Sequence, residues 1–277
     1  MYIKSEDIYH FREYLLKEEK SKETISKYIF DINEFYKSID KIEISKEVII
    51  EYKNQLIAKK LNPNTINSKL SALNGFFKFL GYNDYCVKFL RIQKKVFQSE
   101  KKELTKKEYE KLVKTAYKQN KEQLALILQT IGSTGIRVSE LKYITKEAVL
   151  NNRACIHLKG KERVILIPKT LKRRLMDYIK KNNIENEVFI TKNKTPIDRK
   201  QVWRQMKQLC KEAHVDESKV FPHNLRHLFA VTFYKLNKDI AKLADVLGHS
   251  SINTTRIYLI STGREHLHLL DRLQLVC

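Results

Sequence analysis

A chain of 277 residues and 32.9 kDa is long for one core and short for three, so two domains of ordinary size are expected. Its 54 Lys and Arg outnumber 32 Asp and Glu, leaving a formal charge of +22, while 42% hydrophobic residues suffice for packed cores. A disordered basic tail is thereby excluded, and a polyanion (DNA, RNA or an acidic membrane) becomes the first partner to consider.

In chain order, Ile8, Phe11 and Leu15 mark a first helix, and Ile25, Ile29, Ile32, Phe35 and Ile39 give the apolar stripe of a second. Ser45 can cap a third helix bearing Val48, Tyr52 and Leu56. Asn62-Pro63-Asn64 breaks the chain before a fourth with Ile66, Leu70, Leu73, Phe77 and Leu80. The spacing predicts a helical domain over residues 1–92. A polar stretch with only Val96 and Phe97 as apolar anchors predicts a linker over 93–102, and the second domain then runs over 103–277. It opens with helices after Thr105 and from Gln123 to Ile131, turns at Gly132–Gly135 and resumes from Ile136 to Tyr143. A β-hairpin follows, with strands 154–158 and 163–167 joined by Lys159-Gly160-Lys161-Glu162. Helices are expected over 171–181, 199–213, 224–236, 240–247 and on through Tyr258. The fold class is mainly α with one small antiparallel β-sheet, consistent with only seven Gly and four Pro. Residues 1–95 carry 18 basic and 13 acidic side chains, a net +5, so +17 resides in the remainder.

No phosphate-binding G-x-x-x-x-G-K-[ST], dinucleotide G-x-G-x-x-G or H-E-x-x-H pattern occurs, so no cofactor or metal is expected. Cys86, Cys155, Cys210 and Cys277 are dispersed without zinc-ligand spacing, and no apolar run of 18 residues or signal peptide occurs. A reduced, cytoplasmic protein without a membrane span is expected. What remains is a cationic constellation: Thr134 to Leu141 around Arg137, then His223-Asn224-Leu225-Arg226-His227, then Leu247-Gly248-His249 followed nine residues later by Tyr258.

A phosphodiester under attack gains charge on its non-bridging oxygens, and Arg137 and Arg226 suit a clamp with several directed donors each. With 41 Lys against 13 Arg, these two are less easily filler than Lys would be. His223 and Arg226 stand at i, i+3 just after Pro222 and project from one helix face; His223 can assist proton removal or bind a phosphate oxygen. His249 can donate to another oxygen. Glu140, at i+3 from Arg137, buttresses that guanidinium. His10, His157, His214, His266 and His268 read as ordinary structural or surface groups. A leaving alkoxide needs a proton, for which a hairpin lysine, Lys159 or Lys161, is the candidate donor.

In order and spacing these motifs resemble the tyrosine recombinase (phage integrase) family, and the resemblance extends to residues 1–92 as the family's helical core-binding, SAM-like domain. It implies that Tyr258 is the nucleophile, its phenol of pKa near ~10 activated by neighbouring positive charge, and that the product is a 3′-phosphotyrosyl bond with a free 5′-hydroxyl. It favours Lys159, which precedes a Gly in the hairpin, although this turn is about a residue shorter than is common in the family. His227 takes a supporting role. The expected function is a site-specific recombinase on double-stranded DNA with specific core sites. The resemblance adds a homotetramer that exchanges the tail of Leu267, Leu270, Leu273 and Val276 between subunits, with an accessory DNA-bending protein as an allowed partner. The chain starts at the core-binding helices without an arm-binding domain, and its last residues do not read like those of chromosome-dimer-resolution enzymes. Integration or excision of a mobile element is therefore preferred over inversion or dimer resolution. A type IB topoisomerase-like enzyme needs the same site without synapsis, and a catalytically idle DNA-binding protein needs only the charge.

Overall fold

The computed structural model describes residues 2–39, 43–92, 103–158 and 161–259, which form helices and one antiparallel hairpin. By its internal contacts the chain divides into two units, Met1–Lys94 and Lys95–Cys277, each with its own apolar core. The linker expected over 93–102 lies outside the described residues, as do Lys159, Gly160 and the tail.

The first unit holds α1 (Ser5–Lys17), α2 (Lys22–Ser38), α3 (Lys46–Ala58) and α4 (Pro63–Phe79). Helix α2 starts where the Ser21 hydroxyl accepts from the Thr24 N–H at 3.3 Å, and α4 where the Asn62 side chain accepts from the Asn64 N–H at 2.9 Å. Pro63 fills the first position of α4, where no N–H is needed. Ser45 does occupy the N-cap of α3, but its hydroxyl donates to the Glu47 carboxylate at 2.6 Å instead of capping the backbone. The apolar stripes converge on Phe11, Ile32, Phe35, Leu70, Leu73, Phe76 and Phe77, all fully buried. Buried with them is Asp31, whose carboxylate pairs with Lys27 and, at 3.2 Å, with Lys69 of α4; Lys69 also reaches Glu34 at 2.7 Å. A buried carboxylate persists only because its partners are in place.

In the second unit, α5 (Lys106–Lys118) opens on a reciprocal Thr105–Glu108 capping box. Helix α6 (Glu122–Thr134) runs through the core. Leu124 to Leu128 and Ile131 are buried, and the Thr130 and Thr134 hydroxyls donate back to the Leu126 and Thr130 carbonyls at 2.7 and 2.6 Å. It extends three residues past the expected end and stops at Gly135, whose φ of +63° is the left-handed value that closes helices. The helix expected over 136–143 is instead a 3₁₀ turn at Val138–Tyr143: the Glu140 carboxylate reaches back to the Arg137 N–H and the backbone closes in three-residue steps.

After α7 (Lys146–Leu150), β1 (Arg153–Leu158) pairs with β2 (Lys161–Leu166), and α8 (Lys169–Lys181) follows. The register runs from Arg153 opposite Leu166 to Leu158 opposite Lys161. Only positions 159 and 160 separate the strands, where a four-residue connection was expected. This register turns Ala154, Ile156, Ile165 and Ile167 inward; a one-residue slip would expose them. Then come α9 (Arg199–Ala213), α10 (Pro222–Asn237), α11 (Ile240–Leu247) and α12 (Ile252–Arg256), which tightens into a 3₁₀ turn at Ile257–Leu259. Ala230, Leu243, Leu247 and Tyr258 form a separate small cluster with Phe229, Phe233 and Tyr234 against it. Among the described residues no helix is long and apolar enough to cross a membrane.

Candidate active site

Helix α10 presents His223 and Arg226 one turn apart, and Arg226 is the junction of the site. Its buried guanidinium donates to the Gly135 carbonyl, to the Leu247 carbonyl at 2.8 Å and to His249 Nε2 at 2.8 Å. The Tyr258 phenol is near enough to help hold its charge. One side chain thus ties the end of α6, the end of α11 and the His249 that follows it. Burial, followed by the charge of Arg137, lowers its pKa to about 10, which leaves it protonated at neutral pH.

Two glycines make these approaches possible. Gly135 (φ +63°) and Gly248 (φ +64°) both end helices in the left-handed region. A Cβ on the first would press into Phe229 and Leu247, and one on the second into the Arg163 side chain.

Arg137 caps the 3₁₀ turn and donates to Glu140 Oε1 at 2.8 Å, with its side chain 42% exposed, the access that a phosphate needs. The other Glu140 oxygen accepts from the Arg137 N–H at 2.9 Å and from Arg163 at 2.7 Å. Arg163 was not anticipated. It lies on β2, its side chain is 10% exposed, and its second donor reaches the Val246 carbonyl at 3.0 Å. It links the hairpin, the Arg137 buttress and the end of α11. The signal was in the strand alternation, which puts an Arg on the same inward face as Ile165 and Ile167.

Tyr258 is buried, with its ring centroid 5.5 Å from His223, 5.5 Å from His227 and 5.8 Å from His249, the last stacked at 6°. Burial is the main cause that lowers the pKa of all three imidazoles. For His223 the charges of Arg226, Arg199 and Arg137 add to it; His227 is lowered to about 4 by burial and by His223; His249 falls to about 4 through burial and then Arg226, Arg137 and Arg163. His227 and His249 are thereby held neutral at pH 7, and His223, which is exposed, is pushed in the same direction. His227 Nε2 is buried, 4.0 Å from the Glu103 carboxylate. Arg199, at the start of α9, is a second cation near the site that sequence reasoning passed over.

The structure therefore brings Arg137, Glu140, His223, Arg226, His227, His249 and Tyr258 together within the second unit. Lys159 lies outside the described residues, and Lys161 is placed by its backbone at the first position of β2. His214 ends α9 in the left-handed conformation, as an ordinary structural residue can.

Residues 102–264 match the phage integrase family and residues 8–84 the phage integrase N-terminal SAM-like domain. The chain is similar to the tyrosine recombinase XerA of Pyrococcus furiosus, 29% identical over 282 residues that span 99% of this chain and 96% of that protein. Its fold is similar to a lambda integrase(75-356) dimer bound to a COC′ core site (TM-score 0.74, 17% identity, 93% of this chain and 95% of that one). A lambda integrase tetramer bound to a Holliday junction is also similar (TM-score 0.73, 17% identity, 91% of this chain and 76% of that one). The chain belongs to the phage integrase family: it is a tyrosine recombinase, an enzyme of site-specific DNA recombination.

Proposed function

We propose that Tyr258 attacks a phosphodiester of duplex DNA, forming a 3′-phosphotyrosyl bond and releasing a 5′-hydroxyl that later reverses the step on an exchanged strand. The observation that carries this reading is the buried Tyr258, its ring within 6 Å of the His223, His227 and His249 rings and its phenol beside the charge of Arg226. Arg226 and Arg137 neutralise the charge that develops on the non-bridging oxygens. His223 accepts the phenolic proton, and His249 supplies a further hydrogen bond to phosphate. Glu140 aims Arg137, His227 packs against Tyr258, and Lys159, or Lys161 in its place, protonates the leaving oxygen. The phosphotyrosine retains the bond's energy, so the chemistry requires neither ATP nor a divalent metal.

The first unit serves as the core-binding domain of this reading, over 1–92, and the catalytic domain spans 103–277. Specific core sites on two duplexes imply a four-subunit synapse, with the tail after Gly263 exchanged between neighbours; the half-buried Phe229, Phe233 and Tyr234 of α10 offer an apolar surface for it. An accessory DNA-bending protein fits the same scheme. We place the enzyme in the cytoplasm, on DNA. The mobile-element role rests on the sequence reading of the last residues, and sequencing the covalently trapped DNA identifies the target.

The test is a nicked suicide substrate in EDTA without nucleotide. Wild type should give a denaturant-resistant protein–DNA adduct, and Tyr258→Phe should bind the DNA but give none. An undiminished adduct from that variant overturns the assignment of Tyr258. Supercoil relaxation at many sites, without exchange between two defined ones, would replace the recombinase by the topoisomerase-like reading.

A further inference from the structure

His249 makes two hydrogen bonds whose partners differ in kind. Its Nε2 lies 2.8 Å from Arg226 Nη2, and its Nδ1 lies 2.8 Å from the Thr255 hydroxyl oxygen. A guanidinium has only donors, so Nε2 accepts. In a neutral imidazole the single proton then sits on Nδ1 and is donated to Thr255. Thr255 is itself fully buried on α12, three residues before Tyr258, so its hydroxyl is no surface group. In the reaction His249 has the opposite task. Once Arg226 turns its donor to the phosphate, Nε2 must carry a proton to hydrogen-bond a phosphate oxygen, and Nδ1 is left bare. A hydroxyl is the side-chain group that serves both states, because it accepts and donates from the same oxygen.

We propose that Thr255 is a positioning residue that lets His249 exchange tautomers in place. Its hydroxyl accepts from Nδ1–H in the DNA-free enzyme, and rotates to donate to Nδ1 when Nε2–H faces the scissile phosphate. The ring keeps one proton throughout: one leaves Nδ1 and one arrives at Nε2, both by exchange with water, while Thr255 turns its own hydrogen without losing it. The ring itself need not move, so its stack on Tyr258 is preserved. The first state stands on the geometry alone; the second rests on the recombinase reading.

Nitrogen NMR of ¹⁵N-histidine-labelled protein tests both. The DNA-free wild type should show His249 protonated at Nδ1, and Tyr258→Phe bound to its DNA should show it protonated at Nε2. On the suicide substrate, Thr255→Val, which keeps the shape and loses the hydroxyl, should form adduct about tenfold more slowly at unchanged DNA affinity, the size expected for one lost hydrogen bond. Thr255→Ser should recover most of the rate. The same tautomer in both NMR samples, or a wild-type rate for a folded Thr255→Val, overturns the proposal. A wild type that forms no adduct at all defeats the recombinase reading instead, and the NMR of the DNA-free enzyme still judges the first state.

Discussion

His227 stands between Tyr258 and Glu103 with its Nε2 buried, and its pKa of about 4 couples it to folding. In the unfolded chain an imidazole titrates near ~6.5, so between those values the unfolded state binds protons that the folded state refuses. Stability is therefore intact above about pH 6.5 and falls as pH drops toward 4, with His249 acting in the same direction. Replacing His227 by Gln removes one of these groups. Urea titrations of the DNA-free protein should show a shallower decline for His227→Gln over that window, by up to about 3 kcal/mol at its acid end; identical pH slopes would show that burial at this position carries no linkage. At this scale the sequence marked the residues that belong to motifs and missed those that act through them. Arg163 and Thr255 touch the site through Glu140, Val246 and His249, and such partners depend on contacts between segments 20 to 90 residues apart or on which face of a short turn is buried. Asp31 and Lys69 were missed for the same reason: each alone reads as a solvated charge, and only the packing of α2 on α4 buries the pair.

The helices were legible from their stripes and caps because both signals are local. α9 and α11 carry the same bounds in sequence and structure, and the departures come where side chains compete with the backbone. Glu140 tightens the segment after Arg137 into a 3₁₀ turn, and the hairpin register is fixed by which isoleucines face the core. The hairpin bears directly on the proton donor. With strands ending at Leu158 and resuming at Lys161, Lys159 falls between the strands and Lys161 in the second of them. The proposed donor is Lys159, with Lys161 as its alternative, and the chemistry of the leaving group separates the two. An alkoxide needs a proton to leave and a thiolate does not, so sulfur at the 5′-bridging position removes the need for the acid. Lys159→Ala should cleave ordinary DNA at least ~100-fold slowly and the sulfur-substituted strand near the wild-type rate, the span that general acid catalysis supplies. Rescue confined to Lys161→Ala would move the role two residues along the hairpin.

At the scale of the whole molecule, both units fold around their own cores, yet they share the charge unequally, +5 over residues 1–95 and +17 over the rest. The chemistry needs a handful of these cations, and the rest of the excess charge attracts a polyanion's phosphate backbone without regard to sequence. Helix α9 shows how the two uses join. Its first residue, Arg199, is close enough to help depress the His223 pKa, while Lys200, Trp203 and Arg204 are exposed and Lys207 lies 5.3 Å over the Trp203 ring. Lys200 and Arg204 sit at i, i+4 and share a face, so a phosphate backbone that reaches the site can run along it. Neutralising phosphates releases condensed counterions, and contact with on the order of ten of them makes log K fall against log salt with a slope near ~−9. The Lys200→Gln, Arg204→Gln double variant should therefore bind more weakly on every sequence and lower the magnitude of that slope by about 2, one per lost phosphate contact, without a change in sequence preference. The measurement is affinity for the core-site duplex across a salt series, with a scrambled duplex alongside. A slope that stays at the wild-type value would remove α9 from the phosphate path, and a loss confined to the core-site duplex would mean that this face reads bases rather than backbone.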